Sequence, residues 1–220
     1  LVGIVTIDDA IDVMEEEATE DFELMAAITP TDKPYLRTGV WETVKSRLPW
    51  LMLLMLSATF TGIVISSFED SLAVCSVLIG FIPMLMGTGG NCGNQSSVAV
   101  IRGLSLNEIG FSDLLSVVWK ESRVALVCGA LLSCANFVKL LAVDRWLMQN
   151  AEVTTLVALV ICLTLMCTVF CAKVVGCLLP LLAEKIGLDP AVMAAPFIST
   201  IVDVLSLLIY FQFAMVLLGL

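Results

Sequence analysis

Between residues 49 and 220 the chain is little else than long apolar runs, at 49–68, 72–102, 117–143, 153–183 and 190–220. No other feature constrains the fold as tightly. About 20 apolar residues in a helix cross the hydrocarbon core of a bilayer. Lipid offers no partner to a free N–H or C=O, so a span must satisfy its backbone internally. The runs predict an all-α integral membrane protein with five transmembrane helices per chain. Composition agrees: 59% of residues are hydrophobic and mean hydropathy is +1.01, where a soluble domain is nearer half apolar.

Polar punctuation separates the runs. Pro49 suits the first turn of a helix, where its missing N–H is no loss, with Lys45, Arg47 and Trp50 at the membrane interface. Glu69, Asp70 and Ser71 make a turn, and Asp189 caps the last helix with Pro190 at its first position. Lys33, Arg37, Lys45, Arg47, Arg102, Lys120, Arg123 and Lys185 fall on one side of the bilayer, against Arg145 and the nearby Lys139 on the other. That bias predicts a cytoplasmic N-terminus and an extracytoplasmic C-terminus. No internal repeat is evident, so a symmetric site needs a second copy of the chain.

The net charge of −10 belongs entirely to residues 1–32, which hold ten acidic residues and no Lys or Arg. Such a block is either a solvated helix face or an attractor of cations, and it argues against nucleic acid as a partner. Residues 7–28 are mixed polar and apolar at helical spacing, and TPTDKP (29–34) ends them. Val2, Ile4, Val5 and Ile7 suggest a terminal β-strand, and the opening LVGIVTIDDA reads as cut from a longer protein. Eight cysteines sit in or beside apolar runs, with no CxxC pair and no histidine, which suits packing better than a soft-metal site.

FISTIVDVLSLLIYF (197–211) carries an aspartate near its middle. Steps of three and four residues from Asp189 pass through Val192, Pro196, Ser199, Asp203, Ser206 and Tyr210, a polar stripe on an apolar helix. Such a stripe faces water or a cavity. Pro196 would free the Val192 carbonyl toward that cavity. The competing reading pairs Asp203 with Lys173. Lys173 lies about 16 Å from Glu184 at the α-helical rise and Asp203 about 21 Å from Asp189, so the depths nearly match. The stripe favours a Lys173 that turns away or snorkels to the interface.

The second run contains GTGGNCGNQSS (87–97), in which Gly90, Asn91, Asn94 and Gln95 stand together. Either the glycines break the helix against a cavity or they let helices approach closely. A nucleotide loop is excluded by the missing GK[ST]. Carboxylates, amide oxygens and carbonyls are hard ligands suited to Mg²⁺ or Ca²⁺. Mg²⁺ sheds its water reluctantly, so one Asp per chain doubled across a two-fold axis leaves room for its hydration shell.

RLPWL (47–51), GTGGNCGNQSS (87–97) and DPAVMAAPFISTIVDVLSLLIYF (189–211), in that order, resemble the membrane domain of the MgtE family of magnesium channels. VGIVTIDDAIDVMEEEATED (2–21) is similar to the end of that family's cytoplasmic CBS pair and its connecting helix. The resemblance implies a homodimer in the inner membrane. It divides the chain into a CBS tail (1–14), an acidic connecting helix and amphipathic linker (15–44) and a five-helix pore domain (45–220). The pore would follow the dimer axis, lined by the second and fifth membrane helices. It would pass Mg²⁺ held by Asp203 and its dimer mate, helped by the backbone at Ala195 and Ser199. Ala195 stands where some members carry Asn, so it offers no side-chain ligand. Asn94 and Asp189 match the cytoplasmic half of the pore. Asp9, Asp12, Glu17, Glu20 and Asp21 match acids where bound Mg²⁺ closes the gate. Two rivals remain: an intramembrane aspartyl protease, which needs two carboxylates sharing a proton, and a structural anchor for a CBS sensor.

Overall fold

The computed structural model describes residues 3–31, 33–193 and 195–219, without the side chains of 70–72, 193 and 195. The described residues form seven α-helices: α1 Ile7–Met25, α2 Val40–Ser67, α3 Glu69–Val74, α4 Ile82–Ser105, α5 Leu114–Lys139, α6 Thr155–Lys185 and α7 Ala195–Leu218. Short 3-10 turns precede α4 (Ser76–Phe81) and α7 (Pro190–Met193), and a π-helical stretch, Leu140–Leu147, prolongs α5. Among the described residues four helices are long and apolar enough to cross a membrane: Val40–Ser67, Phe111–Leu147, Thr155–Lys185 and Pro196–Leu218.

α6 is the hub, packed against α4, α5 and α7, while α4 and α7 also pack against each other. It buries Val157, Ala158, Ile161, Leu165, Val169 and Ala172, and α7 adds Ile198, Val202, Leu207, Tyr210 and Phe211 to the same core. α2 behaves differently. Its main partner is α7, and it buries no residue within the chain. A long, largely apolar helix that touches its own chain on one side alone must meet lipid or another chain with the rest.

Several expectations change. Gly3–Thr6 forms no strand, and Ile7 already belongs to α1; a strand exists only with a pairing partner. Val2 lies outside the described residues. The acidic helix α1 runs through the expected boundary at 14/15, and α2 through that at 44/45. Pro49 is inside α2, not at its start. Its missing N–H deprives the Lys45 carbonyl of a helical bond, in a stretch where Lys45, Arg47 and Pro49 are exposed. Residues 69–71 open the short helix α3 rather than a plain turn.

The largest change is in the second run. α4 passes through 87–97 as an unbroken α-helix, in which Gly89 and Gly93 serve close packing. A Cβ at Gly89 would lie 2.7 Å from Thr168 Cγ2, and one at Gly93 would lie 2.6 Å from Ile198 Cγ2 and 3.2 Å from the Ala172 carbonyl. α4 is a 24-residue helix whose polar side chains keep it out of the set recognisable by hydropathy.

Candidate functional site: a groove holding an unpaired carboxylate

α7 starts at Ala195, so Pro196 occupies its first turn, where no N–H is needed. Pro196 therefore does not open the helix interior, and Val192 lies in the preceding 3-10 turn with its N–H donating to the Asp189 carbonyl at 3.2 Å. Asp189 Oδ1 accepts from the Ala191 N–H at 2.8 Å, so the expected cap closes this short turn and not the long helix. Of Ala195 only the backbone is described.

From there the stripe divides. Pro196, Ser199 and Asp203 line a groove of about 510 Å³ with Leu54, Ser57 and Thr61 of α2 and Met86 of α4. Ser57 Oγ and Thr200 Oγ1 lie 3.1 Å apart and tie α2 to α7 along it. Ser206 and Tyr210 turn inward instead. The Ser206 hydroxyl donates to the Val202 carbonyl at 2.6 Å, and the buried Tyr210 hydroxyl donates to the Leu78 carbonyl at 3.0 Å. Neither reaches an open surface of the chain, which corrects their expected pore-lining place. The reason is what covers the helix at that level: α4 at Gly89, where an added Cβ would lie 3.1 Å from Ser206 Oγ, packs over Ser206, and the 3-10 turn before α4 packs over Tyr210.

Asp203 is half-buried and has no hydrogen bond or ion pair among the described residues. An ionised carboxylate in an apolar helix without a partner is costly, and such a group faces a cavity or path. Lys173 does not relieve it, nor does it snorkel. It is 5% exposed and bonds to Ser96 of α4, 3.9 Å from Glu121 of α5.

α4 supplies the adjoining polar groups. A Cβ at the buried Gly90 would lie 3.5 Å from Ser199 Oγ, so this face of α4 meets the upper part of the stripe. Asn91 is exposed and Asn94 half-buried. Asn94 Oδ1 is a buried acceptor without a partner among the described residues, as a ligand amide would be. No three His, Cys, Asp or Glu side chains among the described residues gather into a metal cage. One chain thus offers one carboxylate plus neutral oxygens, a donor set for an ion that keeps its water.

α1 docks at the other end of these helices. Its Leu24 and Met25 pack on Ile101 of α4 and Ala191. Asp21 Oδ2 accepts from Ser105 Oγ at 3.3 Å. Burial, then the negative charge of Asp189, pushes the Asp21 carboxyl above its usual range. Two acids held together in this way are a place where a cation relieves repulsion. The other acids differ. Asp9 takes hydrogen bonds from the Thr6 N–H and hydroxyl, an N-terminal cap that lowers its pKa. Asp12, Glu17 and Glu20 line an open acidic hollow with Lys33 at its edge.

Sequence reasoning missed Glu121 and Ser96. Lys173 itself was the available signal, since a lysine within a membrane helix needs an acid nearby.

Residues 82–213 match the family model MgtE, described as divalent cation transporter. The chain is 37% identical over 218 residues to the magnesium transporter MgtE of Thermus thermophilus, covering 99% of this chain and 46% of that protein. It is 38% identical over 218 residues to the magnesium transporter MgtE of Bacillus subtilis and 34% identical over 214 residues to that of Enterococcus faecalis, covering 97% of this chain in each case and 45% of each relative. The chain thus spans a little under half the length of these relatives. The matched family and these relatives are transporters, not enzymes; among the described residues that line the Asp203 groove there is no second carboxylate. With α4, α6 and most of α7 inside the matched segment, the chain belongs to the MgtE family of divalent cation transporters.

Proposed function

We propose that the chain is the membrane part of a Mg²⁺ channel, in which two copies face each other and pass the hydrated ion between their α4 and α7 helices. The observation that carries this reading is Asp203: half-buried, unpaired and open to a groove on an otherwise apolar helix. The magnesium transport named for the three relatives supports the choice of ion. Five helices, α2, α4, α5, α6 and α7, would span the inner membrane with the N-terminal segment in the cytoplasm, as the lysine and arginine bias requires. The test is Mg²⁺ entry into liposomes holding the purified chain, read by an enclosed Mg²⁺ dye, beside a proteolysis assay on the same preparation. Dye signal without cleavage supports the channel; cleavage without dye signal rejects it.

Two features support a dimer: one carboxylate per chain at the groove, and α2, which buries no residue within the chain. Ser199→Cys should form a disulfide-linked dimer in membranes under mild oxidation, identified as a 199–199 peptide. A chain that remains monomeric in both detergent and lipid would rule out the two-fold pore.

α1 would sense Mg²⁺ on the cytoplasmic side. Asp21 and Asp189 form its inner contact, and Asp12, Glu17 and Glu20 its exposed, weaker sites. Asp9 contributes as a cap. In a protein of the relatives' full length, neutralising Asp12, Glu17, Glu20 and Asp21 should keep flux high at millimolar internal Mg²⁺. The same changes in this chain alone should alter flux less than twofold. A strong gating response lost from this chain alone would mean that α1 needs no cytoplasmic partner.

A further inference from the structure

The interface between α4 and α6 includes a direct backbone contact. A Cβ at Gly176 of α6 would lie 2.2 Å from the Gly93 carbonyl of α4, so two backbones meet with no side chain between them. Thr168 of α6 also packs over Gly89 of α4; small-residue contacts of this kind bring helices close through van der Waals packing. Beside it stands the one buried charge pair of the described spans. Lys173 Nζ donates to Ser96 Oγ at 3.3 Å, Ser96 Oγ donates to Glu121 Oε2 at 2.6 Å, and Nζ lies 3.9 Å from that same oxygen. Lys173 is one turn from Gly176 on α6, and Ser96 one turn from Gly93 on α4. One hydroxyl of α4 is thus held between a cation of α6 and an anion of α5.

We propose that Lys173, Ser96 and Glu121 form a positioning network that fixes the axial register of α4, and through it the place of Gly90 and Asn94 against Ser199 and Asp203. Fixing register is the best-attested use of buried polar groups. The proposal rests on the channel reading for its functional consequence, but not for its test. None of the three residues touches the groove; they act through α4.

Register is measurable without transport. A Cβ at Gly90 would lie 3.9 Å from Ser199 Cβ, inside the range that a disulfide bridges. In the variant Gly90→Cys/Ser199→Cys, oxidation should yield an intrachain 90–199 bridge, identified by peptide mass spectrometry apart from the native cysteines. Lys173→Met or Glu121→Gln alone leaves a buried charge unpaired and should reduce the folded yield. The double variant Lys173→Met/Glu121→Gln removes that charge and should recover the folded yield, while the 90–199 bridge stays at least fivefold below the parent. Lys173→Arg keeps the charge and should stay within twofold of the parent in both. Without the cysteine pair, the double variant should need at least tenfold more Mg²⁺ for half-maximal flux per folded chain. A bridge at parental yield in the double variant overturns the network's positioning role, whatever the flux. A lost bridge in a parent chain that carries no Mg²⁺ sustains the positioning and rejects the channel reading instead.

Discussion

Asp203→Ala is expected to abolish Mg²⁺ entry into liposomes while leaving the chain folded. Asp203 makes no contact that the fold depends on: no hydrogen bond or ion pair reaches it among the described residues, and its groove opens between α2 and α7. Losing it therefore costs little structure and removes the only charge among the described residues that line the groove. A carboxylate about 5 Å from a divalent ion, with one water between, attracts it by about 7 kcal/mol at an effective dielectric near 20. Each ~1.4 kcal/mol is a factor of ten in occupancy. Even after large losses to desolvation, the alanine variant should fall at least a hundredfold. Asp203→Asn keeps the shape and loses the charge, so it should behave nearly as badly. Asp203→Glu keeps the charge but narrows the path and displaces the water, so it should bind and conduct poorly. Flux and Mg²⁺-dependent thermal stabilisation, measured for wild type and Asp203→Ala together, decide the matter. Unchanged flux in the alanine variant would place the ion path elsewhere.

That prediction rests on a residue the sequence already singled out, and the reason is physical. A charge within an apolar run stands out against its neighbours without any knowledge of the fold. The spans were legible on the same ground, since lipid demands long apolar helices. What depends on the neighbouring helices was less legible. Ser206 and Tyr210 share a stripe with Asp203, yet α4 and the 3-10 turn before it pack over them and bury them in the core. Pairing across helices was less legible still. Glu121 lies between Lys120 and Arg123 in the polar opening of α5 and reads as an interfacial charge. Only its contact with Ser96, held against Lys173, makes it a buried one. The Gly-rich stretch offered two readings, a break or a close approach. Propensity favoured the break because each glycine costs a helix up to about 1 kcal/mol, but tertiary packing outweighed it in α4.

The second large effect tests that packing. Gly176→Ala adds one methyl group where the Gly93 carbonyl oxygen, carbon and Cα would lie at 2.2, 2.9 and 3.1 Å. All three are backbone atoms of α4, so no side chain can rotate away and the two helices must separate. Overpacking usually costs about 1–3 kcal/mol where side chains can yield; here the cost should lie at or beyond the top of that range. The shift would also spread, because α4 and α6 both pack on α7. Gly176→Ala should therefore lower the yield of folded protein several-fold and its thermal midpoint by several degrees, with flux falling in parallel. Gly87→Ala is the matched control. It lies in the same Gly-rich helix, but nothing stands within 4 Å of an added Cβ. Alanine there should leave stability unchanged or raise it by up to about 1 kcal/mol through helix propensity. A thermal melt in detergent, followed by the fraction remaining monodisperse, measures both variants. If Gly176→Ala melts with the wild type, the two backbones do not meet as closely as drawn. If Gly87→Ala is the worse of the two, the glycines are needed for flexibility in α4 rather than for its contact with α6.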